Sequence, residues 1–187
     1  GLWADLAGCE AGLALVVEGE TSERALALAG ASSHDQCKAA LAAWAEVLNA
    51  HAAAAAPGAE GPGQRLWAMA EARLLPQALK GLTTKPFPDV RVLSWLLLAA
   101  LCASRSCAQK IVPSEEMRAL LLDFTSEQGS DPRRAKHEFV LALHKHRSWL
   151  NAFLDEEAEG VLNEYARQGP HWVPRAAAAA VGGGDAA

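Results

Sequence analysis

Thirteen consecutive residues between Arg91 and Arg105, Val-Leu-Ser-Trp-Leu-Leu-Leu-Ala-Ala-Leu-Cys-Ala-Ser, carry no charge. As a helix the run spans roughly 20 Å at about 1.5 Å per residue. A bilayer core asks for about 30 Å, or roughly 20 apolar residues. The run is too short for a membrane, and an arginine bounds it at either end. It is also apolar nearly all round, and such a helix needs protein on most of its faces. Whatever the chain folds into must supply several neighbours for this one segment.

Helices are the neighbours at hand. Hydrophobic residues make up 51% of the chain and charged residues 21%, the balance of a folded protein. Alanine is abundant, and few residues besides Val, Ile and Thr favour strands. The punctuation is regular. A helix is predicted over 2–17, broken by Gly19-Glu20-Thr21-Ser22, with another over 23–29. Ser33 and Gln36 have capping-box spacing and open a helix to about residue 55. The stretch 52–63 ends in a loop over 56–63, and Pro62 suits the first turn of a helix reaching residue 80 or 81. Pro76 predicts a kink or early end within that helix.

Further along, Pro88 and Asp89 open a helix over 88–108. Ser114 caps 114–127, with Glu115 and Glu116 at the positive end of its dipole. Asp131 caps 131–147, and Ser148 caps 149–168, which stops at Gln168-Gly169-Pro170. The expected organisation is one helical domain over 1–174 and a mobile Ala/Gly tail over 175–187.

These helices read as pairs: 34–55 with 62–80, 88–108 with 114–127, and 131–147 with 149–168. The first members share a pattern. Lys38, Arg91 and Lys136 each precede an apolar run, with Ala45, Leu98 and Leu143 seven residues on. Their spacings, 53 and 45 residues, compare with about 40–47 for repeats of the HEAT and armadillo kind. The expected fold is therefore an all-α, HEAT/armadillo-like helical-repeat solenoid. A middle helix of such a stack loses its polar face, which accounts for the apolar run.

Second helices of such stacks usually line the concave side. Met117, Leu120, Leu121 and Phe124 form one stripe, with Glu116, Asp123 and Glu127 opposite. Leu150, Phe153, Leu154, Leu162 and Tyr165 are predicted to face inward, and Asp155, Glu156, Glu159 and Asn163 outward. This pattern predicts an acidic strip. The partner-binding candidates are Glu116, Asp123, Glu127, Glu156 and Glu159, although exposed charges need no explanation beyond solvation.

No pattern for chemistry stands out. His137, His144 and His146 form the densest group of metal-capable residues, but 144 and 146 point about 200° apart on a helix, so the three cannot converge on one ion. No Gly-x-Ser-x-Gly turn occurs, and neither phosphate-binding glycine pattern is present. Asp155-Glu156-Glu157 lies on a solvent-facing side, without the pocket that paired catalytic carboxylates need. Arg133-Arg134-Ala135-Lys136 is too short a basic patch for nucleic acid, and the net charge of −5 argues the same way. The chain is expected to be no enzyme, with no cofactor, metal, small-molecule substrate, nucleic acid or membrane among its partners. Cys9, Cys37, Cys102 and Cys107 include no Cys-x-x-Cys pair and read as reduced thiols in a cytosolic or nuclear protein. The chain opens at Gly1 inside a predicted helix, which suggests the C-terminal part of a longer protein.

Three stretches together carry a family resemblance. They are "LTTKPFPDVRVLSWLLLAAL" from Leu82, "DPRRAKHEFVLAL" from Asp131, and "LNEYARQGPHWVP" from Leu162. The chain resembles the C-terminal end of the proteasome 26S non-ATPase regulatory subunit 5 family over roughly 74–181, and over 1–73 only as generic helical repeat. The Gly-Pro-aromatic-aromatic-Val ending is the most specific part, followed by the Pro-Phe-Pro-acid lead-in. The resemblance implies an assembly chaperone for the base of the proteasome regulatory particle, while the reduced thiols make the expected location cytoplasmic, with the nucleus as the alternative. Such a protein is a bent helical solenoid that holds AAA ATPase subunits and leaves before the proteasome is complete. It brings no catalytic residue to carry over. The long 52–63 insertion and the Ala/Gly tail depart from the family pattern. The alternative expectation is a general helical-repeat scaffold or transport adaptor.

Overall fold

The computed structural model describes residues 2–54, 62–85, 87–123, 125–150 and 152–173. All but the last two residues of the predicted loop 56–63, the whole tail 175–187, and Phe124 lie outside these. Every regular element among the described residues is helical. The apolar run forms α7 (Pro88–Leu101), and its neighbours are α4 (His34–Ala54), α6 (Leu75–Thr83) and α10 (Ser130–Lys145). Trp95, Leu97, Leu98 and Leu101 of α7 are fully buried. The segment is thus covered by protein on several sides, as its composition demands. Fully burying one such side chain stabilises the fold by about 1.5–3 kcal/mol.

Upstream, α1 (Leu2–Ala7) packs on α4 and on α2 (Glu10–Glu18), and α3 (Glu20–Ala29) packs on α4. The predicted helix over 2–17 is therefore two helices. Gly12 explains the break. A Cβ there would collide with the Leu6 carbonyl and lie 2.9 Å from Leu6 Cα, so the glycine lets α2 cross the end of α1. Next, α5 (Pro62–Met69) passes through a π turn, Ala70–Leu74, into α6. Pro76 lies at the start of α6, lacks an N–H and crowds the carbonyl four residues back, within that wider turn. The predicted irregularity is present, and the chain continues as helix beyond it.

Downstream, the predicted 88–108 helix divides into α7 and α8 (Arg105–Ile111), and α9 is Glu115–Leu122. Ser114 caps α9 as predicted, accepting from Met117 N–H. Gly129, at φ 94°, precedes α10, so a residue tolerant of left-handed backbone takes the position assigned to Asp131. Ser148 lies in a 3-10 turn, Arg147–Trp149, and caps no helix. Instead Asp155 caps α11 (Glu156–Gln168), accepting from Ala158 N–H at 2.8 Å. Asp155 is thus a cap and Glu156 a first-turn acid, favourable at the positive helix end. Near the end of the described chain, Trp172 is buried and stacked on Tyr165 with ring centroids 4.9 Å apart.

Candidate docking surfaces

The three basic residues that mark the helix starts fasten neighbouring elements to one another. Lys38 and His34 of α4 both reach Asp89 at the start of α7, at 2.7 and 2.9 Å. The Lys38 ammonium holds the Asp89 carboxyl down to about 2. Arg91 of α7 reaches forward into the 123–129 segment, donating from Nε to Glu127 at 3.0 Å and pairing with the same carboxylate through Nη2. It also donates to the Leu82 carbonyl at the end of α6. Lys136 of α10 reaches back, donating to the carbonyls of Leu120 and Asp123 at 2.6 and 2.7 Å and to Ser126 Oγ at 3.1 Å. Its Nζ lies 5.8 Å from the ring centres of both Trp95 and Tyr165. Burial pulls the Lys136 ammonium down to about 8, while Glu127 and Asp123 oppose that shift.

This network corrects one docking candidate. Glu127 is 2% exposed and cannot meet a partner protein. Its carboxylate accepts from Arg91 and, at 2.8 Å, from Trp95 Nε1. Counting helical spacing from Glu116 and Asp123 through to 127 fails because the chain leaves the helix at Leu122. Lys136 occupies the carbonyls at that end. Asp123 is exposed, but its carboxylate accepts from Thr125 N–H at 2.8 Å and Thr125 Oγ1 at 2.6 Å, which holds its pKa below the usual carboxylate range.

Glu116, Glu156 and Glu159 are exposed as predicted. Arg118 of α9 pairs with Asp155, which sets the start of α11 beside α9. The acids therefore share a region that also contains a cation. Of the residues predicted to face inward, Leu150, Leu162 and Tyr165 are buried, Leu154 is half-buried, and Phe153 is 41% exposed. Phe153 precedes α11 and so does not share its apolar face.

A second surface lies where no site was predicted. α4, α7 and α10 lie side by side with their starts together, and a groove of about 780 Å³ runs across them. Its floor is α7, through Leu93, Leu96, Ala99 and Ala103. One wall is α4, where Ala42, Ala45, Ala52 and Ala53 are too short to cover that floor. The other is α10, with Leu141 and Ala142. Glu46 and Glu138 line the groove towards the helix starts, and Lys145 and His146 line the far end. A hollow of about 570 Å³ shares Leu93 with the groove and extends it past Asp89 and Asp131. The signal was present in the sequence as alanine spacing at 42, 45, 52 and 53. Alanine also reads as helix propensity, which hid it.

The three histidines diverge. His137 faces the Ala166 carbonyl at 3.4 Å, His144 lies 3.2 Å from Arg147, and His146 stacks on Trp149. Among the described residues no group of three or more His, Cys, Asp or Glu could hold a metal ion, and no helix is long and apolar enough to cross a membrane.

No curated protein and no solved structure matches the chain. A family model does, that of the proteasome non-ATPase 26S subunit, over residues 24–185. The match takes in α4 to α11, the groove and the Arg91–Glu127 network together, so with most of its length inside that model the chain belongs to the proteasome non-ATPase 26S subunit family.

Proposed function

We propose that this protein is an assembly chaperone for the base of the 26S proteasome regulatory particle, acting in the cytoplasm and nucleus. The observation that carries the reading is the family match over residues 24–185. It is supported by a fold in which α1, α4, α7 and α10 pack in succession, an arrangement we read as stacked helix pairs of the HEAT/armadillo kind. Such a stack presents long faces to another protein and needs no reaction of its own. The protein holds an AAA ATPase subunit and blocks its early contact with the proteolytic core, then dissociates as assembly proceeds. The contact face in this reading is the exposed acidic side of α9 and α11, with Glu116, Asp123, Glu156 and Glu159.

The test is binding of the purified chain to each recombinant ATPase subunit of the base, together with isolation of its complexes from cell extract. Tight binding to one ATPase, in complexes free of the proteolytic core, is the expected result. Charge reversal at Glu116, Glu156 and Glu159 together should slow association and weaken binding, more so at low salt. Binding to none of the subunits would overturn the proposal.

A further inference from the structure

The groove across α4, α7 and α10 has a polarity. All three helices start at the same end, so their dipoles add, and the groove's far end carries the three negative helix termini. Lys145 and His146 stand at that far end, and Glu46 and Glu138 stand nearer the starts. Between them the lining is apolar apart from Asn49. The floor from Leu93 to Ala103 is roughly 15 Å long at about 1.5 Å per residue, and the adjoining hollow adds about another turn. Those are the dimensions of a short helix, and the alanine walls admit a side-chain ridge rather than a flat sheet.

We propose that this groove binds an amphipathic helix of another protein, laid antiparallel to α7, with acids in its first turn and bases in its last. Three arguments fix the occupant. An antiparallel helix opposes the summed dipole of its three hosts, whereas a parallel one adds to it. Acids at its N-terminus meet Lys145, whose full charge exceeds the roughly half charge of the α10 terminus beside it, and bases at its C-terminus meet Glu138. Apolar residues at helical spacing face Leu93, Leu96, Leu141 and the alanines, the usual mode of helix-in-groove recognition. The surface is separate from the acidic face of α9 and α11, so this inference and the chaperone reading stand or fall independently.

The probe is a fluorescein-labelled 15-residue helical peptide with Asp and Glu in its first turn, Leu at helical spacing and Lys and Arg in its last. Its control is a twin with the two charged turns exchanged. Fluorescence polarisation against the full chain should show the first peptide binding at least about tenfold tighter than the twin. In the chain carrying both Glu138→Lys and Lys145→Glu, two exposed positions, the preference should reverse. A nitroxide on the first peptide's N-terminus should broaden amide signals near Lys145 and spare those near Lys38. Equal binding of the two peptides, binding of neither, or broadening centred near Lys38 would each overturn the proposal. ATPase binding that persists without peptide binding would leave the chaperone reading standing alone.

Discussion

Replacing Glu127 by Ala separates a buried structural acid from the docking acid that helical spacing predicts. In the structure its carboxylate serves Arg91 twice and Trp95 once, at 2% exposure, beside an Arg91 side chain that is 17% exposed. Removing it strands a half-buried guanidinium and a buried indole N–H. Breaking one partner of a buried pair costs about 3–5 kcal/mol. Glu127→Gln keeps an acceptor for Trp95 and loses the charge, for about 1.5–3 kcal/mol. Arg91→Met combined with Glu127→Leu removes both charges and should recover part of the loss. Urea unfolding followed by circular dichroism reads these costs. With an m-value of about 2 kcal/mol/M, Glu127→Ala should lower the midpoint by roughly 1.5–2.5 M. Glu116→Ala, on the exposed surface, should change stability by less than about 0.5 kcal/mol. Equal, small effects from Glu127→Ala and Glu116→Ala would refute the buried network.

Other expected outcomes follow from single contacts. A Cβ at Gly81 would fall on Ser94 Oγ and lie 3.2 Å from Ser94 Cβ, so Gly81→Ala should cost about 1–3 kcal/mol. Ser94→Ala should be nearly neutral, because that buried hydroxyl has no hydrogen-bond partner among the described residues, and should rescue much of the loss in Gly81→Ala when the two are combined in thermal melts. The folded Asp89 carboxyl lies near 2, below its ordinary 3.8, so its contribution is complete above 3.8 and is lost as pH falls towards 2. The stability gap between the native chain and Asp89→Asn should therefore close across that window in acid titrations. The gap should stay below about 1 kcal/mol at neutral pH, because the pair with Lys38 is open to solvent. Cys9 is exposed, while Cys37, Cys102 and Cys107 are buried with thiol pKa values raised by burial. A thiol reagent should titrate one group quickly in the native chain and four in urea.

Much of the helical layout was legible because Pro, Gly and Ser punctuate it. Ser114 and Pro88 mark real helix starts, and the uncharged run of α7 correctly demanded neighbours on several sides. Three errors concern where helices begin and end, and a contact distant in sequence bears on the first of them. Just past Leu122 the Asp123 carboxylate accepts from Thr125 N–H, and Lys136, fourteen residues past Leu122, takes the carbonyls of Leu120 and Asp123. Nothing local separates α1 from α2 except a glycine needed for their crossing. Asp155 caps α11 where Ser148 offered similar cap chemistry seven residues earlier. The groove escaped notice for another reason. It depends on which alanines from three distant segments face one another, and a single sequence does not record that.

The 123–129 segment has a consequence for how the molecule tolerates change. Irregular stretches are ordinarily where a chain accepts insertions and cuts. Here Arg91, Arg133, Lys136 and Trp95 all clamp onto this short connector, which ties α7 to the consecutive helices α9 and α10. One added residue would pull out several anchors together and loosen α7, α9 and α10 at once. In this protein a stretch without helix is the inflexible hub, and its evolutionary freedom must be sought elsewhere.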